Sequence, residues 1–76
     1  MADFNFEIIE ELGVISEGSK GWQTELNLIS WNGNAPKYDI RSWSPDHEKM
    51  GKGITLTGEE LAELKSILDT LEVEVE

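Results

Sequence analysis

Few side chains in this chain are of a type that does chemistry, and their spacing decides among the uses. His47 is the single histidine, set between Asp46 and Glu48 in the loop sequence SPDHEKM. A histidine base needs a serine or cysteine nucleophile held beside it. The chain has no cysteine, and the sequence places no serine as that partner. Asp46, His47 and Glu48 have the donor atoms of a metal site, but adjacent loop residues do not converge on one ion without distant ligands. His47 therefore reads as a solvated loop histidine. Gly51-Lys52 suggests a phosphate loop, which requires a glycine five residues before its second glycine and a Ser or Thr after the lysine. Asp46 and Gly53 stand at those places, so the motif is absent. These exclusions predict a protein that is not an enzyme, with no cofactor, no metal and no small-molecule substrate.

The remaining candidates are aromatics and cations: Trp22, Trp31 and Trp43, with Lys20, Lys37, Arg41 and Lys52. Single-stranded nucleic acid is held by aromatic faces on which bases stack and by cations that follow the phosphates. The residue types suit that use, provided that the chain brings them to one surface.

The elements that position them follow from hydrophobic period. Residues 22–31, WQTELNLISW, alternate as a strand. Trp22, Thr24, Leu26, Leu28 and Ser30 share one face, and the leucines mark it as the core face. Gln23, Glu25, Asn27, Ile29 and Trp31 share the other. Asn32-Gly33-Asn34-Ala35-Pro36 is a hairpin loop, with Asn and Gly suited to positive φ. Residues 37–43, KYDIRSW, are the next strand, with Tyr38 and Ile40 on its apolar face and Lys37, Asp39, Arg41 and Trp43 opposite. Alternation thus predicts Trp31 and Trp43 on the open face beside Lys37 and Arg41. An exposed aromatic beside a cation on an open sheet marks a binding surface. Packing under a loop or at a dimer contact is the plainer alternative for both. Trp22, on the leucine face, reads first as core.

A polar loop, 44–50, and Gly51-Lys52-Gly53 lead to a short strand, Ile54-Thr55-Leu56. Lys52 shares parity with Ile54 and Leu56, the inner face, although the flanking glycines leave its direction open. Thr57-Gly58-Glu59-Glu60 matches the capping box, and two acids in the first turn suit the helix dipole. Leu61, Leu64, Leu68 and Leu71 then recur at helical spacing, with Ala62 and Ile67 beside them, giving an amphipathic helix of about 14 residues. Val73 and Val75 follow without a glycine stop. Upstream, residues 4–16, FNFEIIEELGVIS, form a strand bent or bulged near Gly13, with a helix over Phe6 to Leu12 as competitor. Residues 17–21, EGSKG, are a turn. The order ββββα predicts an α+β domain, an antiparallel curved sheet with one C-terminal helix on one face.

Seventy-six residues make a single domain, 1–76, with a small core and no disulfide to support it, so a homodimer is expected. The formal net charge of −10 argues against a polyanion ligand only when taken whole. Residues 1–19 carry five acids and no base, and residues 53–76 carry seven acids and Lys65, whereas residues 20–52 hold five bases against four acids. The acid lies at the ends. No signal peptide and no membrane span are legible, which points to the cytoplasm.

DIRSW at 39–43, a polar loop, GKGITLT at 51–57 and the leucine-bearing helix together resemble the C-terminal domain of the positive-cofactor-four family of transcriptional coactivators, over about residues 22–71. The resemblance implies a homodimer whose curved sheets hold single-stranded DNA; RNA is the alternative nucleic acid. It matches Arg41 to the arginine of the family's Asp-Ile-Arg and implies Lys52 as a phosphate contact, Trp31 as a base-stacking residue and Trp43 in the aromatic cluster closing its strand. Arg41, as a cation beside the tryptophans, reads as a further phosphate contact. Lys37, Trp22 and Lys20 complete the candidate contacts. Eukaryotic members of that family are richer in bases along the strand at 22–31, where this chain has Gln23, Glu25 and Ile29. That departure implies that stacking contributes more than charge. The implied function is largely sequence-independent single-stranded DNA binding, in transcription, replication or repair. The alternative is a transcription-associated protein-interaction module using the tryptophan face.

Overall fold

The computed structural model describes residues 5–75. Phe4, expected in the first strand, lies outside them. Four strands, β1 (Phe6–Glu17), β2 (Gln23–Trp31), β3 (Lys37–Trp43) and β4 (Met50–Leu56), precede one helix, α1 (Gly58–Asp69). The strands form one antiparallel sheet in the order β1-β2-β3-β4. This is the α+β, ββββα layout read from the sequence.

Local chemistry accounts for most boundaries. Asn32 and Gly33 take φ of 51° and 76° in the loop between β2 and β3, where short polar and glycine residues tolerate the left-handed region. The capping box is complete: the Glu60 backbone N–H donates to Thr57 Oγ1 at 3.1 Å, and the Thr57 N–H donates to Glu60 Oε1 at 2.8 Å. Helix α1 is 12 residues long, slightly shorter than its apolar stripe suggests. Residues 6–12 are strand rather than helix because β1 pairs with β2 along its length. Its register shifts three times, between Ile8 and Glu10, Glu11 and Gly13, and Val14 and Ser16, where one bulge near Gly13 was expected.

These bulges bend the sheet, since each extra residue lengthens one strand against its neighbour and increases the twist. The Phe6 ring shows how far. Its centroid lies 5.9 Å from that of Trp31 and 5.2 Å from that of Trp43. Trp31 ends β2, whereas Trp43 pairs with Gln23 at the start of that strand. Along a flat strand those two positions are about 26 Å apart, at ~3.3 Å per residue. One ring touches both tryptophans because the sheet curls towards that face.

The curl corrects the expected assignment of faces. Ile29 and Trp43 are fully buried, and so are Asn27 and Asp39, with Glu25 nearly so. All belong to the face expected to be open. Leu26 and Leu28, expected to define the core, are only half-buried. On the concave side, side chains converge and cover one another. On the convex side they splay, and a helix of three turns cannot close over them. Helix α1 rests there without burying any residue completely. An apolar groove of about 340 Å³ remains, lined by Ile15, Leu26, Ile40, Leu61, Leu64, Leu68 and the Lys65 side chain.

Candidate nucleic-acid interface

The concave face is built on paired charges. From β3, Arg41 Nε donates to Asp39 Oδ1 at 2.6 Å and Arg41 Nη2 donates to Asp39 Oδ2 at 2.8 Å. Residues two apart on a strand face the same way, so the fork closes within one strand. Thr55, opposite Asp39 on β4, donates its hydroxyl to Oδ2 at 2.9 Å. Arg41 Nη1 reaches the Gly51 carbonyl at 3.3 Å and Met50 Sδ at 3.4 Å. The guanidinium carbon stands 4.8 Å from the centroid of the Trp31 ring, in the range of a cation–π contact.

Glu25 is the cross-strand partner of Arg41 in register but engages other groups. Asn27 Nδ2 donates to its Oε1 at 3.0 Å, and His47 Nε2 lies 2.9 and 3.1 Å from its two oxygens. His47 takes φ of 60°, and its ring stands 5.5 Å from that of Trp43. The expectation of a solvated loop histidine is therefore corrected. The turn at Ser44, closed by the His47 N–H donating to the Ser44 carbonyl at 2.9 Å, returns the ring over β2 to a partner 22 residues earlier. In the same loop, Asp46 accepts from the Glu48 backbone N–H and from the Ser44 hydroxyl. These bonds, the backbone one foremost, hold its carboxyl below the ordinary value of 3.8.

The predicted contact residues fall into three groups. Trp31, Arg41 and Lys37 come together: Trp31 and Lys37 line an open depression of about 280 Å³ with Asn34, Ala35 and Thr55. Trp43 does not present an exposed face. It is fully buried against Phe6 and His47, which corrects the reading of it as an open platform; the curl carries it under its neighbours. Lys20 is exposed at φ 59° in the 3-10 turn Ser19–Gly21, and half-buried Trp22 follows it. Both lie at the start of β2, the end away from Trp31.

Lys52 is exposed within a bulge. Arg41 pairs with Gly53 and Trp43 with Met50, so Gly51 and Lys52 together oppose Ser42. Two residues against one break the alternation, and parity does not set the face of Lys52. Gly53 serves a close approach, since a Cβ there would overlap Cβ of Arg41 and the Ile40 carbonyl oxygen. The residues missed by sequence reading are Asp39, Thr55, Glu25, Asn27 and His47. Alternation does put Asp39 beside Arg41 and would have suggested that pair. The contact between His47 and Glu25 leaves no local signal. Among the described residues, no group of three His, Cys, Asp or Glu side chains is placed to hold a metal ion, and no helix is long and apolar enough to cross a membrane.

Comparison with known proteins places the chain in a family. The family model of Transcriptional Coactivator p15 (PC4) matches residues 18–67, and the chain belongs to that family. Domains of this family bind nucleic acid, including single-stranded DNA, and are non-enzymatic. An uncharacterised protein of the bacterium Treponema pallidum (strain Nichols) is 47% identical over 72 residues, covering 95% of this chain and 85% of the relative.

Proposed function

We propose that this protein is a single-stranded DNA-binding protein of the cytoplasm, largely indifferent to sequence, that acts as a homodimer. The observation that carries the reading is the half-buried Trp31 ring, backed by the Arg41 guanidinium and opening on a depression edged by Lys37. Such a site offers a stacking surface for a base and a cation for the phosphate beside it. Lys52, exposed in the bulge, is a second phosphate contact, and Lys20, exposed at the far end of β2, extends the track. Trp43 contributes from beneath, by holding Phe6 and His47. The family's binding of single-stranded DNA supports the same assignment.

The apolar convex face supports the homodimer. Ile54, Ile67 and Leu68 are each half exposed or more, and the groove beside α1 has an entirely apolar lining surface. A second copy of the chain covers these groups and leaves the concave face free for its ligand. Titration with oligo-dT, oligo-U and duplex DNA at low salt, read by tryptophan fluorescence and gel mobility, tests the proposal. Quenching and a mobility shift with oligo-dT, little response to duplex, and a dimer by light scattering are expected. No response to saturating oligo-dT refutes the DNA reading. Capture of a protein from nuclease-treated lysate, in that case, supports the interaction-module alternative.

A further inference from the structure

We propose that Asp39 is the positioning residue of this interface, making Arg41 the rigid support of the Trp31 stacking surface rather than a phosphate anchor. The proposal rests on the reading of the Trp31 face as a single-strand site. Both oxygens of Asp39, a side chain with no exposed surface, are taken by the guanidinium, at 2.6 and 2.8 Å. Two parallel N–H bonds to a carboxylate fix a guanidinium in position and in roll. That hold keeps the guanidinium carbon over the indole, 4.8 Å from the ring centroid. Thr55 locks the carboxylate in turn through Oδ2, and Thr55 also lines the depression beside Trp31.

Little of Arg41 remains for a phosphate. A guanidinium has five N–H donors. Two go to Asp39, and Nη1 is directed to the Gly51 carbonyl and Met50 Sδ. The charge is likewise matched at contact distance by a buried anion. The alternative anion, Glu25, lies across from Arg41 in register but is held by His47 and Asn27. A strand in the groove therefore meets an ion pair of no net charge. Its free cations are the exposed lysines.

Salt dependence separates the two roles. Each cation that neutralises a phosphate of a single strand contributes about 0.7 to the slope of log K against log salt. Two variants of the full chain are titrated with oligo-dT over a range of salt. Asp39→Asn keeps the shape and releases the guanidinium charge. The double variant Asp39→Asn with Arg41→Gln removes the pair as a unit and leaves no unpaired buried charge. The expected slope rises by about 0.7 per protomer in Asp39→Asn. In the double variant it stays at the wild-type value, while affinity falls by about tenfold at every salt, the size of one weakened base stack. A slope lowered by about 0.7 in the double variant overturns the proposal, because Arg41 then pairs with phosphate in the wild type. Unchanged affinity in both variants overturns it too. If Asp39→Asn does not fold by far-UV circular dichroism, the double variant decides alone. Wild-type protein that ignores oligo-dT refutes the binding function itself, a failure visible before any variant is compared.

Discussion

Replacing Gly53 with alanine tests the geometry under Arg41. An added Cβ would overlap Cβ of Arg41 and the Ile40 carbonyl oxygen, with Cα of Arg41 at 3.0 Å. Two of those three atoms belong to the backbone of a central strand and cannot rotate away. Overpacking of this kind costs about 1–3 kcal/mol. In a domain of this size, ~2 kcal/mol lowers Tm by roughly 8–16 °C. Two other glycines supply controls. At Gly51 the added Cβ meets only the side chain of Ser42, chiefly its hydroxyl, which can turn aside, so Gly51→Ala should cost under about 1 kcal/mol. At Gly13 nothing lies within 4 Å and φ is not left-handed, so Gly13→Ala should be neutral or stabilising by about 0.4–1 kcal/mol, through the lost freedom of the unfolded chain. Urea and thermal melts by circular dichroism at one fixed protein concentration measure the series, since a dimer's apparent stability depends on concentration. Gly53→Ala as stable as wild type, or less harmful than Gly51→Ala, refutes the close approach of β4 to β3 at Arg41.

Three further outcomes follow from particular contacts. Leu68 is half exposed in the protomer and lines the convex groove, so Leu68→Asp should retain its circular dichroism spectrum but run as a monomer in light scattering. His47→Ala leaves the buried Glu25 carboxylate with Asn27 as its remaining side-chain partner and should cost about 1–3 kcal/mol in urea unfolding, an effect that His47→Gln, which can still donate, should reduce. The Glu48 amide resonance should titrate with a midpoint below 3.8, because its N–H binds ionised Asp46. A carboxyl with a depressed folded pKa adds stability above its unfolded value and loses it as pH falls through the folded one. Asp46→Asn should abolish the step, and a midpoint at or above 3.8 would contradict the bonding seen in the loop.

The elements of this protein are legible along the chain because their signals are local. Thr57 and Glu60 lie three residues apart and cap the helix they begin. Asn32-Gly33 turns where its backbone is free to turn. Alternation in WQTELNLISW and KYDIRSW sorts side chains correctly into two sets, since parity is a property of any strand. It also put Asp39 and Arg41 on the same side.

Parity does not say which set is buried. That depends on curvature, which here arises from three register shifts in β1 and a bulge at Gly51 and Lys52. Curvature buried Asp39 and Asn27 along with Trp43 and left Leu26 and Leu28 half covered, so polar side chains are buried more completely than the leucines. It also decided that Gly53 serves a close backbone approach and that His47 reaches Glu25, 22 residues away. Contacts between distant segments depend on the summed twist of every strand between them, a quantity no short window of sequence carries. The list of residue types suited to a single-strand site was readable in order along the chain. Which tryptophan is buried and which only half-buried, and which cation is already paired, depend on how the sheet curls.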